Sequence, residues 1–256
     1  MTRVVKIGGR AQDNPRLFDF LARAWEHSSK SLCIVHGGGD EVSAMQRALG
    51  REAEFVGGRR VTSKADLDLL RMVLSGAVNK RLVNGLIAKG IPAVGLSGED
   101  GALISAEIID ARLLGFAGRP TKVNTDLLDA IMRSGNVPVI SPVAYDGRSP
   151  NGGALNVNGD DAAAAVAIAL GAEQLLLIAD VDGVHDEHGV TLPVVSTETA
   201  RLLLNAGTAA NGMAAKLEAA QVALVSGVES VRICDLEGLI DGERGTVITQ
   251  SQSVAI

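Results

Sequence analysis

A lysine delivered to a pair of glycines is the first place in this chain where chemistry could be done. Val4-Val5-Lys6-Ile7-Gly8-Gly9 is a short apolar run that carries one lysine and is cut off by glycine, the pattern of a buried strand with an abrupt end. Lys6 then stands at the carboxyl end of a strand, beside backbone N–H groups that no Cβ shields. A fixed cation next to open amides is a place to bind phosphate. Taken alone, Lys6 also reads as a surface lysine before an ordinary turn. The arrangement recurs, however: Cys33-Ile34-Val35-His36 is a second apolar run, and Gly37-Gly38-Gly39 follows it.

Three further groups carry polar chemistry. Asn156-Val157-Asn158-Gly159-Asp160 brings two carboxamides and a carboxylate to the start of an alanine-rich helix. Helix capping favours Asn and Asp there and accounts comfortably for one of the three. Gly212-Met213-Ala214-Ala215-Lys216 places a lysine one turn into another helix; alone, it is a solvated helical lysine. Ala179-Asp180-Val181-Asp182-Gly183-Val184 follows a strand and is either a loop shaped for a ligand or a simple turn.

Several other chemistries fail on their motifs. The sequence has no G-x-x-x-x-G-K-[ST] and no G-x-G-x-x-G, which removes the P-loop and the dinucleotide fingerprint. His36-Gly37-Gly38-Gly39 could form an oxyanion hole, but such hydrolases also need G-x-S-x-G. The nearest candidate, Gly95-Leu96-Ser97-Gly98-Glu99, lacks the last glycine. A net charge of −6 and an aromatic content of 2% provide neither a basic stripe nor a stacking platform for nucleic acid. Cys33 and Cys234 sit inside separate strand-like runs and read as buried thiols of a reduced compartment. Four histidines without ligand spacing exclude a zinc site, and no protein metal ligands are expected. No run is long and apolar enough to span a bilayer, and no signal-peptide pattern precedes the strand that starts at Arg3. The expectation is a soluble cytoplasmic protein.

The elements that must position these groups alternate along 256 residues. Strands are expected at Arg3–Ile7, Leu32–Val35, Pro92–Leu96, Val137–Ile140, Gln174–Ile178, Ser230–Cys234 and Thr246–Thr249. Helices are expected at Pro15–Glu26, Glu41–Leu49, Leu127–Ser134, Asp160–Leu170, Thr197–Leu204 and Gly212–Val225, with a long helical stretch Ala65–Lys89 broken near Gly76. This alternation predicts an α/β fold with an open, mostly parallel twisted sheet and helices on both faces. Ligands of such sheets bind at the carboxyl ends of strands, where both glycine clusters lie. The turn-rich segment Tyr145–Gly153 marks a lobe boundary, giving residues 1–147 and 148–256.

Read in order, these motifs resemble the amino acid kinase family, in particular its acetylglutamate kinase branch. The resemblance runs from K-x-G-G at Lys6–Gly9 through H-G-G-G at His36–Gly39, G-x-R-V-T at Gly58–Thr62 and N-V-N-x-D at Asn156–Asp160. It closes with D-V-x-G-V at Asp180–Val184 and G-M-x-x-K at Gly212–Lys216. It implies ATP-dependent phosphorylation of the γ-carboxylate of N-acetyl-L-glutamate, the second step of arginine synthesis. The N-terminal lobe would bind the acyl amino acid and form a homodimer, and the C-terminal lobe would bind ATP. Carried over residue by residue, Lys6 and Lys216 hold the transferring phosphoryl group and Asp160 positions both lysines. Gly8, Gly9, Gly38 and Gly39 offer amides to the γ-phosphate and the reacting carboxylate. Arg60 grips the substrate α-carboxylate, Asn156 helps hold the acyl amino acid, and Asp180, Val181 and Gly183 border the nucleotide.

Elementary chemistry agrees with that assignment. Phosphoryl transfer asks for positioning and charge neutralisation, which two lysines and several amides supply while Mg²⁺ bridges nucleotide oxygens. A carboxylate nucleophile, with an unperturbed pKa of roughly 4.3, is already ionised near neutral pH and needs no general base. The nearest rival is the kinase of the carrier-protein lysine pathway, whose aminoadipate substrate is attached to an acidic carrier. Such an enzyme should present basic surface near the substrate mouth, and Arg47, Arg51, Arg59 and Arg60 form a modest cluster of that kind. A sensing module without catalysis is a third reading, against which Lys6, Asp160 and Lys216 argue. Arginine-inhibited hexameric relatives carry an extra helix before the first strand. With the first strand at Arg3, the resemblance implies a dimer insensitive to arginine, in which part of Ala65–Lys89 forms the interface.

Overall fold

The computed structural model describes residues 2–207 and 211–250. Its centre is β1 (Arg3–Ile7), paired in parallel with β2 (Leu32–His36) on one side and with β10 (Gln174–Ile178) on the other. Beyond β2 lies β8 (Val137–Asp146), and beyond β10 lies β12 (Ser230–Cys234), both parallel to their neighbours. The chain leaves β1 towards β2 and later returns to β10 on the opposite side. The crevice at the carboxyl end of β1 is therefore a topological switch point, the usual ligand position in open α/β sheets.

The expected strands are present with ends shifted by two residues at most, except that β8 runs on past the expected Ile140 to Asp146, and the sheet is mostly parallel. Its margins add strands that alternation had not revealed. β6 (Ile104–Ile108) and β7 (Ala117–Val123) form an antiparallel pair, and β9 (Ala154–Val157) closes back antiparallel on β8. β5 (Ala93–Gly98) lies parallel to β8, while β11 (Val194–Ser196) and β13 (Thr246–Thr249) form the far edge. A separate two-stranded hairpin joins β3 (Phe55–Val56) to β4 (Arg59–Arg60). Its Gly57-Gly58 turn has φ of +54° and +74°, the doubly left-handed geometry that a two-residue hairpin turn demands.

The pleat divides the core between the two faces. Val4, Cys33, Val35, Leu175 and Leu177 face α6 (Gly159–Ala169) and α8 (Asn211–Val225). Val5, Ile7, Ile34, Leu176 and Ile178 face the other way, towards α1 (Leu17–His27) and a long helix. That helix spans residues 64–88 as α3 (Lys64–Leu70), a π-helical stretch Arg71–Val78 and α4 (Asn79–Ala88). The predicted break near Gly76 is thus corrected: the helix widens there and continues, as π-bulges allow. Both cysteines are buried free thiols, pushed up to about 12 by burial.

Of the segment Tyr145–Gly153, expected as a boundary, Tyr145 and Asp146 belong to β8 and residues 147–153 form the turn of the β8–β9 hairpin. Asp146 Oδ1 accepts from the N–H groups of Arg148 and Ser149 at 3.0 and 3.2 Å. No helix among the described residues is long and apolar enough to cross a membrane.

Candidate active site

Lys6 is one pleat on from Val4, so its side chain leaves the sheet on the face covered by α6 and α8. Those two helices carry the other charged members. Asp160 lies in the first turn of α6, where the capping Asn158 Oδ1 accepts from its N–H at 2.8 Å. Lys216 lies one turn into α8. The three side chains meet in the core: Lys6 Nζ is 3.0 Å and Lys216 Nζ 3.4 Å from the same Asp160 Oδ1. Small residues permit this approach. Ala162, Ala163 and Ala167 are buried on α6, and a Cβ added at Gly159 would lie 3.3 Å from Lys6 Cε.

Burial sets the electrostatics of the triad. It pushes the Lys216 ammonium down to about 8, with Lys6 adding to the effect and Asp160 opposing it. Burial alone would raise the Asp160 carboxyl, but the two ammoniums, Lys6 first, outweigh it and hold the group below the usual carboxylate range. The cluster carries one net positive charge, two ammoniums against one carboxylate, in a place screened from water. A multiply charged anion is its natural complement.

The glycine loops border the same place. Gly38 caps α2 (Gly39–Ala48) without side-chain assistance, so amides at that helix start remain open. Among the described residues no protein acceptor meets the N–H groups of Gly38 and Gly39. A Cβ added at Gly9 would sit 3.7 Å from Gly38 Cα, and one added at Gly38 would collide with Leu74 Cδ2 at 2.7 Å. Gly38 is thus packed at glycine distance against the long helix, while the two loops meet each other at ordinary contact distance.

A cavity opens beside them, lined by Gly37–Gly39, Phe55, Arg59, Arg60 and Asn156–Gly159, with Leu70, Leu74 and Ile109 as apolar wall. Arg60 is buried and held on three sides. Its Nη2 donates to Gly39 O at 2.9 Å and Ser43 Oγ at 2.8 Å, its Nη1 donates to Gln46 Oε1, and its guanidinium lies 4.7 Å from the centre of the Phe55 ring. Gln46 is fixed in turn by Asp66, which belongs to the capping box of α3. The guanidinium keeps its Nε–H and one Nη1–H for a ligand, since three of the five donors it has as an Arg are engaged. Asn156 Nδ2 donates to Thr62 Oγ1 at 2.9 Å, and Thr62 Oγ1 donates to Arg60 O at 2.9 Å. This chain ties β9 to the hairpin.

Lys6, Asp160 and Lys216 are therefore brought into contact, and Gly38, Gly39, Arg60 and Asn156 share one cavity. Asp180, Val181 and Gly183 line neither that cavity nor the wider cleft outside it. Asp180 lies beyond the end of β10 and accepts from Arg10 Nη1 at 3.2 Å. Gly183 is wedged where a Cβ would meet Thr246 Oγ1 at 2.6 Å. The side chain of Asn211, beside the Gly212–Lys216 motif, and residues 208–210 lie outside the description.

Asp161 and Gln12 belong to none of the sequence motifs, and Arg59 enters there only as one member of a modest basic cluster. Arg59 Nη1 donates to Asp161 Oδ2, which ties the hairpin to the first turn of α6 beside Asp160. Burial pushes the Asp161 carboxyl up, and Arg59 pulls it part of the way back. No local pattern could have signalled this pair, because 102 residues separate its members in sequence.

Fold and site together set a buried cluster of two lysines and one aspartate beside a small glycine-rimmed cavity at the switch point of an open α/β sheet. Residues 1–235 match the model described as the amino acid kinase family, and the chain belongs to that family. Among its relatives is a protein of Methanopyrus kandleri named acetylglutamate kinase, 41% identical, with 96% of this chain and 99% of that protein covered. Another acetylglutamate kinase, from Azorhizobium caulinodans, is 38% identical over 96% of this chain and 89% of its own length. The crystal structure of smu.665 from Streptococcus mutans UA159 superposes with a TM-score of 0.86 at 28% identity, covering 97% of this chain and 98% of that one.

Proposed function

We propose that this protein transfers the γ-phosphoryl group of MgATP to the γ-carboxylate of N-acetyl-L-glutamate, the second step of arginine synthesis. The observation that carries the reading is the Lys6–Asp160–Lys216 cluster beside a cavity floored by open amides and holding a buried arginine. In this reading Lys6 and Lys216 neutralise charge on the transferring group, and Asp160 holds both ammoniums at the end of β1. The acceptor carboxylate attacks without a general base. The Gly8, Gly9, Gly38 and Gly39 amides receive phosphoryl and carboxylate oxygens, Arg60 takes the α-carboxylate, and Asn156 the acylamino group. Asp180, Val181 and Gly183 border the nucleotide. Mg²⁺ enters with ATP as part of the co-substrate; among the described residues no acidic cluster offers a protein-built cage for it. Residues 148–256 would hold the nucleotide, although the acyl cavity draws on both sides of that boundary through Gly37–Gly39 and Asn156–Gly159.

A carrier-linked substrate is disfavoured by the arginines that would greet an acidic carrier. Arg60 is buried, Arg59 is paired with Asp161 and Arg51 lies 3.6 Å from Asp66, which leaves Arg47 as the one member of the cluster exposed without a partner among the described residues. Release of ADP with N-acetylglutamate, N-succinylglutamate, N-acetylaminoadipate and a carrier-linked aminoadipate tests the assignment. Turnover with the carrier-linked compound and none with N-acetylglutamate would transfer it to the rival, and turnover with none of the four would favour a sensing module.

Arg60→Ala is expected to raise KM for the acyl amino acid by about 10²-fold, the size of a lost charge-assisted pair of roughly 3 kcal/mol. Because its carboxylate partner is charged in ground and transition states alike, kcat should move far less. A variant whose loss falls on kcat at unchanged KM would place Arg60 elsewhere in the reaction.

Lys216 also predicts a pH profile. Its ammonium is held down to about 8, so the free enzyme loses this charge as pH rises through that value. The ratio kcat/KM for ATP, which reports the free enzyme, should fall above about pH 8. The kcat profile should hold to higher pH, because bound phosphate favours the charged amine. The sign for stability is opposite. Between about 8 and the ordinary 10.5 the unfolded chain binds more protons at this group, so its contribution to stability rises with pH. A kcat/KM profile flat to pH 9.5 would remove the assignment.

A further inference from the structure

The two glycine loops are joined by a side chain that the reaction as described does not use. Gln12 stands in the 3₁₀ turn Arg10–Asp13 directly after Gly8-Gly9, with its own N–H donating to Gly9 O at 3.0 Å. From there it reaches across to the second loop, where its Nε2 donates to Gly37 O at 2.9 Å. This orientation of the carboxamide agrees with the place of Arg81, whose Nη2 faces Gln12 Oε1 at 3.5 Å while the same guanidinium pairs with Glu41 on α2.

Gly37 O has a second partner. The His36 Nδ1 lies 3.0 Å from it, and the His36 Nε2 lies 3.1 Å from Asn79 Nδ2. Asn79 Nδ2 also lies 2.9 Å from Val139 O and 3.3 Å from Leu96 O, and the Asn79 Oδ1 accepts from Lys80 Nζ at 3.0 Å, so this nitrogen faces acceptors alone. The amide nitrogen of Asn79 is thus the donor towards His36, Nε2 accepts, and the proton sits on Nδ1, aimed at Gly37 O. The ring is fully buried, and burial pushes it down to about 4, so it stays neutral and keeps this tautomer.

Two donors on one carbonyl fix the plane of the peptide that joins Gly37 to Gly38. In a trans peptide the C=O and the following N–H point in opposite directions. Pinning Gly37 O towards Gln12 and His36 therefore aims the Gly38 N–H away from both, and Gly38 is one of the residues that line the cavity. That N–H has no acceptor among the described residues. A glycine peptide without such pinning turns easily, and a donor that must first turn stabilises a transition state less than one already in place.

We infer that Gln12, acting with His36, is a positioning residue that sets the Gly38 amide against the transferring phosphoryl group. The inference rests on the phosphoryl-transfer reading above and adds a residue to it. Gln12 touches neither substrate; it acts through the Gly37–Gly38 peptide. His36 and Asn79 are buried in the core and their replacement risks the fold, whereas Gln12 is half-buried and can be changed alone.

The test uses the full chain with Gln12→Met, which keeps length and loses the donor, and Gln12→Glu, which keeps the acceptor towards Arg81 and loses the donor. Both are expected to lower kcat about tenfold, below the 10²–10³ of deleting a donor outright because the amide is misaimed and not removed. KM for either substrate should stay within about threefold, since the loss is confined to the transition state. The melting midpoint should stay within about 2 °C of the unaltered chain, as befits a change outside the core. A second readout needs no acceptor: calorimetric binding of a non-hydrolysable ATP analogue and of ADP. The preference for the analogue, which isolates the γ-phosphate, should fall several-fold in both variants. A kcat within twofold of the unaltered chain, or a loss that appears in KM and melting midpoint with the analogue preference intact, overturns the inference. An unaltered chain that binds nucleotide but phosphorylates no N-acetylglutamate overturns the proposed reaction alone, and the analogue preference still decides the role of Gln12. An unaltered chain that binds neither nucleotide overturns both.

Discussion

Replacing Lys216 with alanine is expected to lower kcat by about 10²–10³-fold, the range found when a single preorganised donor is removed from developing charge. The expectation follows from where the ammonium stands. It is buried, 3.4 Å from Asp160 Oδ1, and shares that oxygen with Lys6. A cation so placed contributes little to ground-state capture of ATP, which the rest of the nucleotide can secure. It contributes most when negative charge gathers on the oxygens between donor and acceptor. KM for ATP should therefore change by less than about tenfold while kcat falls. Lys6→Ala should behave alike, and the double variant should fall well short of the product of the two losses, because both ammoniums serve one phosphoryl group and one counter-ion. Steady-state ADP release provides the measurement. If Lys216→Ala kept kcat within about twofold, roughly 0.4 kcal/mol, the cluster would be a structural ion network and the site would need another electrophile.

The route from sequence to this site was open in some places and closed in others. Lys6 was legible because the short run Arg3–Ile7 is cut off by glycine and the same arrangement recurs at Cys33–Gly39, and the pleat then decides which face the lysine takes. Asp160 was legible because polar residues clustered at a helix start exceed what capping needs. The start of α2 was misplaced by two residues, at Glu41 against the observed Gly39, since propensity speaks against a helix that opens on glycine. The packing of Gly38 against Leu74 and Val78 overrides it. β7 was hidden by Gly118 and Pro120, both poor strand formers, and it survives through pairing on both sides with β6 and β9. β9 was hidden because Asn156 interrupts its apolar run, and that interruption is what puts a carboxamide into the cavity. The pairs Arg59–Asp161 and Gln12–Gly37 join residues 102 and 25 positions apart. Such contacts follow from the fold and from no local period, so single-sequence reasoning meets them only as isolated charged or polar residues.

Asp160→Asn should be the more damaging substitution, and in a way that exposes what the aspartate does. The carboxylate is buried between two ammoniums and is the acidic partner of both. Taking its charge away leaves two like charges in a region screened from water, a situation that costs about 3–5 kcal/mol when one partner of a buried ion pair is removed. The lysines can escape that cost only by giving up protons. Lys216, already held down to about 8, is the first to do so. The variant should then be markedly less stable than the unaltered chain at pH 6, with the difference narrowing as pH rises towards 8, because without the Asp160 charge the folded variant gives up the lysine proton below that value. Activity should fall by 10³-fold or more at every pH, by the loss of about 4 kcal/mol of transition-state stabilisation, because neutral or displaced amines cannot meet the phosphoryl charge. A companion variant separates the two effects. Adding Lys216→Met to Asp160→Asn removes one of the stranded charges, so it should return a large part of the lost stability at pH 6 and none of the activity. Urea unfolding at pH 6 and pH 9, run beside ADP release, reads both. If Asp160→Asn kept its stability at pH 6, the two ammoniums would not depend on this carboxylate, and the role of Asp160 as their organiser would fall with it.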